Sequence, residues 1–196
     1  TGVEFLDILL NGGTIAGESL GILAPSGGGK STIANMLLAA CIRRRKDGWY
    51  YSTEQKLKGD LAIRHACLAT GSTRDIFKKG YANISQATLD LLGVVKEEWV
   101  EHCKFMDYSD TPVTTIDVLL EAVVQRKNQT GKNPGVIIID WWGRLSDNMC
   151  AEQSPPLTDS SQKRQFDRSQ IHKAKQLAEE LGCPIFIFHQ LNGKAN

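Results

Sequence analysis

The sequence contains no run of apolar residues close to the ~20 that a membrane-spanning helix needs, which argues against a transmembrane segment. It has no strong charge of either sign: 23 Lys+Arg face 22 Asp+Glu, a formal net charge of +1. The basic surplus that marks many nucleic-acid and membrane-surface binders is therefore missing. Its five cysteines (Cys41, Cys67, Cys103, Cys150 and Cys183) are odd in number and never form a C-x-x-C pair. That leaves no disulfide framework and no zinc-finger pattern, and it points to a reducing, cytoplasmic setting. The four histidines are as dispersed and lack metal-ligand spacing. Signal-peptide and lipidation motifs are lacking, as is any internal repeat, and the start at Thr1 rather than Met reads as a piece of a longer chain. What remains is ordinary globular material, 41% hydrophobic and 23% charged over 196 residues. A chain of this length forms one domain that buries roughly 70% of its unfolded surface.

Short β-branched or aromatic runs alternate with longer stretches of helical period. Gly21 to Ala24 reads as a strand, and Ser31 to Lys46 as a helix whose apolar positions Ile33, Leu37, Leu38, Cys41 and Ile42 recur at three and four. A strand at Trp49 to Ser52 and a helix from Lys56 to Ala69 follow. Ser72 to Lys104 is polar and turn-broken, and reads as small helices. Phe105 to Tyr108 reads as a strand, and Thr115 as the N-cap of a helix to about Gln129. Gly135 to Asp140 (GVIIID) is a continuous apolar run ending in an acid, the signature of a strand buried on both faces. Gly143 to Gln162 shows no period and reads as a long loop, of the kind that is usually functional or disordered. A helix from Lys163 to Leu181, stopped by Gly182 and Pro184, leads to a last strand, Ile185 to His189. This alternation predicts an α/β domain with a mainly parallel sheet covered by helices on both faces. Ligands of such sheets sit at the carboxyl ends of the strands, so strand-end residues become site candidates.

The strongest motif is Ala24-Pro25-Ser26-Gly27-Gly28-Gly29-Lys30-Ser31, a phosphate loop with Ala in place of the first Gly, set between a strand and a helix. Glycines let backbone N–H groups turn inward around phosphates, and the helix start adds about half a positive charge. Lys30 suits the β- and γ-phosphates, the Ser31 hydroxyl suits Mg²⁺, and Thr32 falls near the α-phosphate. The expected ligand is a purine nucleoside triphosphate.

Asp140 stands where a phosphate-loop protein places the acid that holds the magnesium shell through water; otherwise it is a turn acid. Trp141 follows it, so there is no general base at that position: either the base comes from elsewhere or hydrolysis is absent. Glu54, after the Gly48 to Ser52 strand, is the best substitute, able to orient a water at the γ-phosphate and contribute ~10² to 10⁴ in rate. The alternative is an acid in the first turn of the next helix, favoured by the dipole. Gln190, after the last strand, either senses the γ-phosphate or is an ordinary loop amide. His189 beside it reads as structural.

Together these residues resemble the RecA superfamily, and most closely the hexameric replicative helicases of the DnaB type. The likeness runs through Thr1-Gly2-Val3-Glu4-Phe5-Leu6-Asp7, Leu10-Asn11-Gly12-Gly13, Gly17-Glu18, the phosphate loop, Tyr51-Ser52-Thr53-Glu54 and the strand ending at Asp140. It continues through Lys175-Gln176-Leu177-Ala178, Gly182-Cys183-Pro184 and His189-Gln190-Leu191-Asn192. The resemblance implies a three-layer RecA-like ATPase domain over 1–196, with Glu54 as catalytic glutamate, Asp140 as the Walker B acid and Gln190 as γ-phosphate sensor. It also implies a ring, ATP between subunits, and single-stranded DNA in the channel, with 143–162 as a channel-facing loop. Lys163 and Arg164 beside that loop either contact DNA phosphates or simply begin a solvated helix.

Departures from the family pattern are also visible. Gly193 stands where the helicases usually carry Arg after Q-L-N, and the sequence holds neither their N-terminal helical domain nor the segment with the trans-acting arginine finger. Such a finger is worth ~10³ to 10⁵ in turnover, so this stretch alone is expected to bind ATP and hydrolyse it slowly. Competing readings are a recombinase-like or circadian-clock-like regulatory ATPase, a nucleotide-dependent switch or loader without unwinding, and a small-molecule kinase. The last is weakened because Arg43, Arg44 and Arg45 lie at a helix C-terminus, where the dipole accounts for them.

Overall fold

The structure, a computed structural model, describes residues 1–53, 56–107, 116–140 and 142–191. Strands β1 (Ser19–Ala24), β2 (Gly48–Ser52), β3 (Cys103–Asp107), β4 (Val136–Asp140) and β5 (Ile185–Gln190) form one sheet in the order β1-β5-β4-β2-β3. Every pairing is parallel. The helices between them are α1 (Glu4–Leu9), α2 (Lys30–Arg43), α3 (Ala62–Thr70), α4 (Arg74–Lys78), α5 (Gln86–His102), α6 (Ile116–Thr130), α7 (Trp142–Ala151) and α8 (Ser160–Leu181).

Helices cover both faces of the sheet, so β2 and β4 are buried from end to end and β5 over its first four residues, while β1 at the sheet edge is only partly buried; side chains divide between the faces with period two. Trp49, Tyr51, Ile137, Ile139, Ile185 and Ile187 pack on one face with residues of α6, α7 and α8. Tyr50, Val136, Ile138, Phe186 and Phe188 pack on the other with α2, Val3 and Leu6. The result is the three-layer α/β architecture that the alternation predicts.

Four segments differ from the sequence expectation. Residues 143–162 are not one long loop: α7 occupies Trp142–Ala151, and α8 begins at Ser160 rather than Lys163. The reason is a period overlooked in the polar composition, since Trp142, Leu145, Ser146, Met149 and Cys150 are all buried at helical spacing. Residues 72–104 are not only small helices either. The short α4 and a 3₁₀ turn at Tyr81–Asn83 lead into the 17-residue α5, capped by Ser85, whose hydroxyl accepts from the Thr88 N–H. The helix expected from Lys56 opens instead with a π-helical turn, Leu57–Leu61, before α3. The entry segment holds a short helix, α1, that its motif residues did not announce. Tyr108 and the expected N-cap Thr115 lie outside the described residues.

Because all strands run one way, their carboxyl ends share one edge. Ala24 pairs with Gln190, and Ser52 pairs with both Asp140 and Asp107. β5 and β4 lie between β1 and β2, which places the ends of those two strands about 14 Å apart at ordinary strand spacing. Among the described residues, no helix is long and apolar enough to cross a membrane.

Candidate nucleotide-binding site

β1 ends at Ala24, and the chain turns through residues 25–29 into α2. Gly27 and Gly29 take left-handed φ values of 75° and 82°, a region that side-chain-bearing residues occupy at a cost. Ala24 is still extended strand, which is why the motif's first glycine is dispensable here. Gly29 is the N-cap of α2 and brings no side chain to the N–H groups of the first turn, the arrangement that favours an anion.

Lys30 folds back over the loop. Its Nζ donates to the carbonyls of Ala24 (3.1 Å) and Pro25 (3.0 Å), which leaves one of three ammonium protons for another acceptor. One residue on, the Ser31 hydroxyl donates to Asp140 Oδ2 at 3.0 Å, joining positions 109 apart in sequence. Asp140 is 2% exposed and also accepts, on the same Oδ2, from the Tyr50 hydroxyl at 2.6 Å. Its main-chain carbonyl accepts from the Thr53 N–H at 2.8 Å, so the exit of β2 is tied to the end of β4. A hydroxyl and a carboxylate side by side are hard oxygen donors, and Mg²⁺ is typically held by one or two carboxylates together with substrate phosphates. The pair therefore fits that ion.

The structure thus brings Lys30, Ser31 and Asp140 together from their separate places in the sequence. Gln190 lies opposite Ala24 in register, and alternation puts it on the Phe186–Phe188 face that α2 covers. His189 falls on the other face. Thr32, in the first turn of α2, accepts from Arg64 on α3 at 3.4 Å. Glu54 and Trp141 lie outside the described residues. Lys163 and Arg164 sit in the first turn of α8, where Arg164 Nε donates to the Ser160 carbonyl at 3.1 Å. Asp159 caps that turn by accepting from the N–H groups of Ser161 and Gln162, and the Ser161 hydroxyl bond pulls its carboxyl below the usual range. Lys163 is half-buried and Arg164 exposed.

Two site residues escaped the sequence reading. Tyr50 is hidden inside the GWYYS run, where it reads as one more strand aromatic. Arg64 sits in a helix expected from periodicity, with nothing in its neighbours to point at the phosphate loop.

A parallel sheet with a glycine loop after its first strand and a buried acid at the end of a central one defines an α/β protein of the phosphate-loop, RecA-like kind. More particularly, the chain belongs to the family of DnaB-like helicase C-terminal domains, whose model matches residues 1–196. Among solved structures it is similar to a DnaB-like replicative helicase described with its interactions with primase: 18% identity, TM-score 0.75, covering 98% of this chain and 44% of that one. It is also similar to a second solved structure, described as an ATPase domain, at 19% identity and TM-score 0.74, covering 98% of this chain and 63% of that one. The chain thus spans less than two thirds of either relative, and at these identities the likeness speaks for the fold. No curated protein matches it.

Proposed function

We propose that residues 1–196 form a single ATP-binding and ATP-hydrolysing motor domain of a DNA helicase that works as a hexameric ring on single-stranded DNA. The observation that carries the nucleotide part is the Ser31–Asp140 contact beside the Gly29 helix start. A loop that merely turned the chain would have no need to aim its hydroxyl at a buried acid across the sheet. Family membership supports the helicase part.

In this reading the loop of Ala24, Pro25, Ser26, Gly27, Gly28 and Gly29 cradles the phosphates with its backbone. Lys30 neutralises the β- and γ-oxygens, and Thr32 with Arg64 lies toward the α-phosphate. Ser31 and Asp140 would hold Mg²⁺, which would supply charge neutralisation and orientation of the triphosphate. Glu54, two residues beyond β2, orients a water and takes its proton as that oxygen bonds to the γ-phosphorus. The bond to the bridging oxygen breaks, leaving ADP and phosphate. Gln190 holds the γ-phosphate from β5 and transmits its loss to the chain beyond.

The test is Lys30→Ala in the full-length protein. Nucleotide affinity should fall by roughly 100-fold or more, given a charge-assisted contact worth about 3 kcal/mol, and hydrolysis stimulated by single-stranded DNA should vanish. Unchanged nucleotide binding would refute the site. Hydrolysis indifferent to single-stranded DNA would refute the helicase part and leave the nucleotide part standing.

A further inference from the structure

We propose that Tyr50 is a positioning residue for the metal-holding acid: its buried phenol fixes the Asp140 carboxylate so that one oxygen is committed to protein donors and the other faces the ion's water shell. The proposal rests on the Mg²⁺–nucleotide reading above and goes beyond it, since that reading needs only Ser31 and Asp140.

The phenol is placed by three independent features. Parallel pairing sets Tyr50 of β2 opposite Ile138 of β4, two residues before Asp140, so the long side chain reaches along the strand to the carboxylate. The ring is 0% exposed and stacks on Phe105 of β3, with centroids 5.7 Å apart and planes 22° from parallel. The hydroxyl ends 2.6 Å from Oδ2, a short O–H···O hydrogen bond.

The consequence follows from counting acceptors. Oδ2 takes two donors, from Tyr50 and Ser31, while among the described residues Oδ1 takes none. A carboxylate held by Ser31 alone would depend on an oxygen that must itself ligate the ion. With the phenol in place, and with the Asp140 backbone tied to Thr53, the rotamer is set before any metal arrives. Outer partners that orient a ligand typically govern metal affinity by 10- to 100-fold.

A buried tyrosine hydroxyl also needs a partner for its own sake, and that purely structural role predicts lower stability in Tyr50→Phe with unaltered metal dependence. The experiment therefore follows binding of a fluorescent ATP analogue to the full-length protein while Mg²⁺ is titrated. Positioning predicts that Tyr50→Phe raises the Mg²⁺ midpoint roughly tenfold, leaves metal-free analogue binding within about twofold, and is rescued by excess Mg²⁺. A wild-type midpoint in a folded Tyr50→Phe protein overturns the proposal while the nucleotide reading stands. Failure of the wild-type protein to bind the analogue overturns both. Should Tyr50→Phe not fold, Phe105→Leu serves, because it keeps the phenol and frees its ring. The midpoint should again rise, and an unchanged one overturns the proposal.

Discussion

Replacing Leu145 by Ala tests the segment where sequence and structure disagree most. Leu145 is 0% exposed and lies in the core cluster with Met149, Trp142 and Ile187. Leu→Ala at such sites costs 2–5 kcal/mol, transfer plus cavity, the lower values belonging to sites that collapse around the change. α7 is a ten-residue helix followed by turns, so part of the cavity can close, and a loss of about 3 kcal/mol is expected. At an m-value of about 2.5 kcal/mol/M the urea midpoint should fall by roughly 1.2 M. The melting temperature should fall by about 6–12 °C for a chain of this size. The control is Asp147→Ala, on the exposed face of the same helix, which should stay within about 0.5 kcal/mol. If Leu145 and Asp147 lay in the mobile, channel-facing loop expected over 143–162, the two substitutions would behave alike. Equal, small shifts would refute a docked α7.

Two further outcomes follow from single residues. His65 is 4% exposed, sits against the Trp99 ring at 4.2 Å, and burial, with a smaller push from the Arg43 charge, lowers its pKa to about 4. A histidine kept neutral in the fold contributes stability that is complete above the unfolded value near 6.5 and is lost as pH falls from there through 4. The total is roughly 3 kcal/mol, and His65→Leu should flatten that slope in denaturant titrations between pH 7 and 4. Gly29→Ala meets no atom within 4 Å at its new Cβ, so its cost is that of φ 82° alone, about 1 kcal/mol or a 2–4 °C lower melting temperature; an unchanged temperature would contradict the left-handed turn.

The phosphate loop was legible because its chemistry is local: glycines, lysine and serine do their work within eight consecutive positions. The GVIIID and IFIFHQ strands were legible for a related reason, since burial on both faces leaves an unbroken apolar run. α7 was not, because its stripe starts at Trp142, and a window opened at Gly143 removes the residue that anchors the period. Ser154, Pro155 and Pro156 belong to the connection after the helix, yet they colour the composition of the whole stretch. α5 hid for the opposite reason. Leu91, Val94 and Val100 are exposed, so its apolar residues do not share one face. The Tyr50–Asp140 contact was out of reach altogether, because it depends on β2 lying beside β4, and strand order is not written in an alternation of strands and helices.

That strand order also explains how the site keeps its charge. Asp140 is nearly fully buried, and a buried carboxylate demands compensation. A lysine or arginine would supply it and would also cancel the field that attracts a divalent ion. The sheet supplies two neutral hydroxyls instead, Ser31 from the helix after β1 and Tyr50 from the neighbouring strand. Each satisfies a lone pair and leaves the formal charge in place. Lys30 is instead held by the carbonyls of Ala24 and Pro25. The lysine and the carboxylate thus each have their own partners, main-chain carbonyls for one and hydroxyls for the other, which leaves both free to act on a ligand in the proposed reading.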